Sequence, residues 1–175
     1  MTRTIITPEQ CGDMLFEWLR SHCNSSAVKS VARDVGYKYS FFSPAKKLHL
    51  FEELTFLYVS LAVHGVNAAL DDYSTIEAVV DAFLAKTRKT ILNSMASGDE
   101  GFQERYATRV GSYFELLRGG GDAIGVAGDF LVGLFGTPDA RLKFTALKIA
   151  TAVAVAQASL QKVFQQLEVS DADAL

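Results

Sequence analysis

The stretch from Leu54 to Leu70 runs 17 residues without a charged side chain, closed by Glu52 and Glu53 on one side and Asp71 and Asp72 on the other. A helix of that composition has too little charge to be solvated along any face, so protein or lipid must surround it. Seventeen residues is the short edge of a membrane span. The run also holds Ser60, His64 and Asn67 and lacks flanking Lys or Arg, so it reads as a helix buried in a protein core with no membrane span.

A buried helix needs others around it, and the rest of the chain supplies their signals. All three prolines follow a hydroxyl residue, as Thr7-Pro8, Ser43-Pro44 and Thr137-Pro138. Each pair has the form of a helix start, with the hydroxyl at the N-cap and proline at the first helical position. Thr7 and Gln10 form a capping box, and Ser74 with Glu77 reads as another. Apolar spacing predicts helices over 8–22, 26–34, 44–70, 75–96, 101–118, 122–135 and 138–168. In the fifth of these, Phe102, Tyr106, Val110, Phe114 and Leu117 form the expected inner stripe. The fold class expected is all-α: one domain over 1–168, a bundle of six or seven helices with 44–70 and 138–168 as its long central pair. A disordered acidic tail is expected over 169–175.

Composition narrows the function classes. A net charge of -3 argues against general nucleic-acid or anionic-membrane binding. The opening MTRTIITPEQ lacks the apolar run of a signal peptide, which places the protein in the cytoplasm. Two cysteines and three histidines are too few for a disulfide framework or a zinc ribbon. None of the three histidines has a Glu three residues before it, so the Glu-x-x-His motif of di-iron bundles is missing, and no metal or cofactor is expected. Cys11 and His22 share a face but stand about 16 Å apart along a helix, too far for a nucleophile pair. Cys23 reads as an inert thiol.

Two places remain. Along 44–70, Lys46, His49, Glu53, Ser60, His64, Asn67 and Asp71 fall within about 60° of one another, a narrow polar stripe facing solvent or an internal cavity. Its far half, Ser60, His64, Asn67 and Asp71, is the candidate ligand site, with His64 as ligand contact or general base. In the last helix, Lys148, Ala152, Val155 and Ser159 share a face with an apolar centre and polar ends, which fits a homodimer interface. The seven glycines of 119–136 follow no strand and end in no Lys-Ser or Lys-Thr, so they do not make a phosphate loop. Gly121, Gly125 and Gly128 recur at helical spacing and suggest a smooth face for the last helix.

The segment VKSVARDVGYKYSFFSPAKKLHLFEEL resembles the helix-turn-helix of TetR-type regulators in the spacing of Ala32 and Gly36 and in Ser43 to Leu48. That resemblance implies phosphate contacts from Arg33, Lys38, Lys46 and Lys47. Between Gly36 and Ser43 there is no room for a recognition helix, so it stands only as a third reading. The first is a non-enzymatic helical protein acting by partner binding as a homodimer. The second is a small-molecule binder, sensor or enzyme with a polar pocket around His64.

Overall fold

The computed structural model describes residues 3–39, 43–120, 122–136 and 143–170. The protein is an all-α helical bundle. Its helices are α1 (Pro8–His22), α2 (Ser25–Val35), α3 (Pro44–Ala69), α4 (Tyr73–Thr87), α5 (Asn93–Ala96), α6 (Phe102–Arg118), α7 (Ala123–Phe135) and α8 (Lys143–Gln165). A π-helical turn, Arg88–Leu92, joins α4 to α5. Helices α3 and α8 are the long central pair that the sequence predicts. The predicted start of the last helix at Thr137-Pro138 lies outside the described residues, as do 171–175.

Local chemistry explains most helix ends. The Thr7 hydroxyl accepts from the Gln10 backbone N–H while the Gln10 side chain accepts from the Thr7 N–H, the reciprocal box expected there. Asn24 caps α2 by accepting from the N–H groups of Ser26 and Ala27, and Gly36 closes it at a left-handed φ of 68° that favours glycine. The expected box at Ser74 and Glu77 is not the cap of α4. Asp72 takes that role, accepting from the Thr75 N–H at 2.8 Å and from the hydroxyls of Ser74 and Thr75. A carboxylate satisfies three donors at once and complements the helix dipole, which a neutral hydroxyl does not. These bonds hold the Asp72 carboxyl down at about 2.

Buried side chains form one connected cluster around α3. From Glu52 to Ala62 every residue of α3 is buried, but the uncharged run does not stay buried to its end: beyond Ala62 only Val66 is buried, and Asn67, Ala68 and Ala69 are exposed. Helix α1 lies against α4 so closely that a Cβ on Gly12 would sit 2.7 Å from the Cβ of Ala82 and 2.8 Å from the backbone N of Phe83. The inward positions of α4 advance as Val79, Phe83 and Thr87, and the π turn adds one residue so that Leu92 and Met95 face in.

Two sequence expectations change here. The last helix ends at Gln165, and Leu167–Val169 forms a strand paired in parallel with Thr4–Ile6, so Glu168 is not helical and Val169 is paired to Ile6. Three-residue strands are too short to show alternation, and only their meeting makes them visible. Glycine spacing also misleads at the two positions described: a Cβ on Gly128 would meet nothing within 4 Å, and on Gly125 only the cap residue Asp122, while Gly121 lies outside the described residues. Gly133 is the tightly enclosed one, but its neighbours are side chains of α3 and α6.

Candidate functional site

The polar stripe on α3 faces neither solvent nor a cavity over its middle. Its carboxylates meet arginines of α6, which carries Arg105, Arg109 and Tyr113 at intervals of four residues and so on one face. Glu53 is 3% exposed and accepts from Arg109 Nε at 3.1 Å, from Arg109 Nη2 at 3.0 Å and from the Tyr113 hydroxyl at 2.8 Å. Arg109 Nη1 donates to Asp129 of α7 at 2.9 Å, Nη2 donates to the Asp129 backbone carbonyl at 2.9 Å, and Ser112 donates to the same carboxylate. One guanidinium thus ties three helices together. Gly133 exists to admit this group, since a Cβ there would lie 2.5 Å from both Arg109 Nη2 and Glu53 Oε2.

The electrostatics follow. Burial works against the Arg109 charge, but hydrogen bonding to Glu53 and the surrounding acidic groups outweigh it and hold the guanidinium above its ordinary value. Burial, reinforced by the Glu53 charge, pushes the Tyr113 phenol well up, so it stays protonated and able to donate. Next to this cluster, Glu52 is 4% exposed and reaches Arg105 only at 3.4 and 3.5 Å, because Arg105 binds Asp99 more closely, at 2.6 Å. Burial therefore raises the Glu52 carboxyl, and Arg105 offsets that in part. His49 Nε2 lies 3.0 Å from the Gly133 carbonyl, which can only accept, so that nitrogen carries the proton.

Chemically this cluster is a strut. All three nitrogens of the Arg109 guanidinium donate to protein oxygens, those of Glu53, Tyr113 and Asp129. Among the described residues no fully buried side-chain nitrogen or oxygen lacks a partner, and no group of three His, Cys, Asp or Glu is placed to hold a metal ion. Sequence reading missed Arg109 and Tyr113 by drawing the inner stripe of α6 through Val110 and Phe114. The available signal was a double glutamate on a helix otherwise buried, opposite a helix with two arginines four residues apart.

The four candidate ligand residues are not assembled into one site. Ser60 is fully buried and donates to the carbonyls of Phe56 and Val110, fastening α3 to α6. Asn67 is exposed and donates to its own helix at Val63. Asp71 sits exposed beyond the helix end. It lines a cleft of about 530 Å³ with Arg3, Leu70, Phe164 and Glu168, whereas His64 lines another, about 240 Å³, with Leu61, Gly65, Ala68, Ala154, Gln157 and Gln161 among its walls. Burial lowers its imidazole, so the ring is neutral at pH 7, and neither Ser60 nor Asn67 orients it. The smaller volume lies below the roughly 300 Å³ at which small-molecule pockets begin.

On α8 the four interface candidates divide. Lys148, Ala152 and Val155 are exposed, Val155 at 63%. Ser159 is half-buried and accepts from the Trp18 indole N–H at 3.1 Å, so α1 occupies it. Trp18 in turn contacts His22 and Tyr58, which stack at 4.8 Å. The outward pole of α8 instead runs through Phe144, 82% exposed, Leu147, Thr151, Val155 and Ala158. The buried thiols of Cys11 and Cys23 are pushed up to about 11 and about 12 by burial. Among the described residues no helix is long and apolar enough to cross a membrane. Compared with protein-family models, curated proteins and solved structures, the chain matches none.

Proposed function

We propose that this protein is a non-enzymatic helical scaffold that acts by binding a partner through the outer face of α8, and that it does so as a homodimer. The observation that carries the reading is the row of exposed apolar side chains Phe144, Leu147 and Val155 on one stripe of α8. Single exposed apolar residues are ordinary, but three large ones in register on one helix, set among Thr151, Ala154 and Ala158, make a surface that water covers poorly. The interior supports the same reading from the other side. Among the described residues every fully buried side-chain nitrogen and oxygen has a partner, the thiols are buried and protonated, and the His64 cleft is small.

Light scattering coupled to size exclusion over a range of concentrations tests this. The expected result is a mass that rises toward twice the chain mass with concentration, and a Val155→Arg variant that stays monomeric and folded. A strict monomer at every concentration, with a Val155→Arg variant unchanged in mass and stability, overturns the reading.

A further inference from the structure

We propose that the edge strand β2 (Leu167–Val169) takes up an extended, basic peptide segment of a partner protein as a third strand, at a place apart from the outer stripe of α8 and independent of it. The parallel ladder with β1 (Thr4–Ile6) pairs Thr4 with Leu167, Ile5 with Glu168 and Ile6 with Val169. The Thr4 N–H donates to the Gln166 carbonyl at 2.9 Å, and the Ser170 N–H donates to the Ile6 carbonyl at 3.0 Å. In a parallel ladder those two bonds fix the rest: Glu168 turns its N–H and C=O toward β1, and Leu167 and Val169 turn theirs away. Two donors and two acceptors therefore stand open along one edge, which is the template that an added strand uses.

That edge opens into a cleft. Leu167, Glu168 and Val169 all line the cleft of about 530 Å³ and no residue of β1 does, so the cleft borders β2 on the side away from its partner. Another wall is the end of α3, from Ala68 to Asp71, where Leu70 is already extended at φ -112° and ψ 141°. The chemistry of the lining selects the occupant. Side chains alternate along β2: Leu167 and Val169 are half-buried, Val169 against the core, and Glu168 is exposed. Residues paired across a ladder share a face, so a third strand needs apolar side chains beside Leu167 and Val169 and a cation beside Glu168. Asp71 adds a second carboxylate, and among the described residues neither is held in an ion pair. Helix α3 ends here with no basic residue in its last turn, so the negative end of its dipole also favours a cation. Against these stands Arg3, the one cation among the described lining residues. About 10 Å of edge accommodates three residues, so the contact is weak and reversible.

Amide-resolved NMR of the full chain, titrated with the capped peptide acetyl-Lys-Val-Lys-Val-Lys-amide, tests this. The expected result is a shift and slowed hydrogen exchange at the Leu167 and Val169 amides, with the Glu168 amide, already bonded to β1, little changed. The peptide acetyl-Glu-Val-Glu-Val-Glu-amide is expected to bind about tenfold more weakly, because like charges then face Glu168, and Glu168→Lys is expected to reverse that preference. Val169→Pro removes an outward N–H and leaves the ladder with β1 intact, so it is expected to keep the fold and weaken the basic peptide about fivefold. The basic peptide N-methylated at every residue is expected to lose binding to the unaltered chain, a readout that needs no variant to fold. No response at Leu167 and Val169 at millimolar peptide overturns the proposal, as does binding that N-methylation leaves unchanged or equal binding of the acidic peptide. Lysine amide binding as tightly as the basic peptide makes the cleft a small-cation site and also overturns it. A chain that is strictly monomeric leaves it standing.

Discussion

Replacing Arg109 with methionine keeps much of the side-chain stem and removes the guanidinium that anchors Glu53. The carboxylate, 3% exposed, then keeps the Tyr113 hydroxyl at 2.8 Å as its one donor. A buried carboxylate so placed takes up a proton in preference to staying charged, which sets the scale of the loss. Holding a glutamate neutral at pH 7 against an ordinary value near 4.3 costs about 1.4 kcal/mol per pH unit, or about 3.7 kcal/mol. That agrees with the roughly 3–5 kcal/mol seen when one partner of a buried ion pair is deleted. The sign with pH follows from proton counting. In the variant the folded state binds a proton that the unfolded chain has released, so its stability relative to wild type rises as pH falls from 7 toward 5. At pH 5 the same term is about 1 kcal/mol. Urea unfolding followed by far-ultraviolet circular dichroism at pH 5, 6 and 7 measures it. Adding Glu53→Gln to Arg109→Met is expected to recover about 2–3 kcal/mol at pH 7, since the amide keeps the shape and needs no charge partner. A deficit that is flat between pH 5 and 7, or a double variant no more stable than Arg109→Met, refutes the reasoning.

Two glycines of α7 should respond in opposite directions. Gly128→Ala, with open space around its Cβ, should stabilise by about 1 kcal/mol, whereas Gly133→Ala must displace the Glu53–Arg109 pair and lose about 1–3 kcal/mol despite the same propensity gain; denaturant midpoints decide the sign of each. Glu52, whose carboxyl burial raises, destabilises the fold above the carboxylate range and not below it, so Glu52→Gln should stabilise at pH 7 and be neutral near pH 3; thermal melts at the two pH values check this. Cys11 and Cys23 should resist alkylation in the native protein at pH 8 and react once it is unfolded, as mass spectrometry of iodoacetamide-treated samples will show.

Sequence alone was sufficient for most of the interactions that are local, although it placed the cap of α4 at Ser74 where Asp72 provides it. Thr7 with Gln10, Pro44 at the start of α3 and the charge-free run from Leu54 to Leu70 each act within a few turns, so spacing exposes them and the all-α class follows. The same reasoning reached α8 as a long helix with an apolar face, but turned that face too far toward Ser159. Its true pole depends on which side α1, α3 and α7 cover, and the Trp18–Ser159 hydrogen bond spans 141 residues. The Glu53–Arg109 strut spans 56 residues, and the strands Thr4–Ile6 and Leu167–Val169 are brought together from the two ends of the described chain. Periodicity reports which side of a helix is buried and is silent on which buried polar groups meet. Only the tertiary structure decided that the glutamates beside the uncharged run are closed off by arginines, and that the exposed apolar surface runs along the outer stripe of α8.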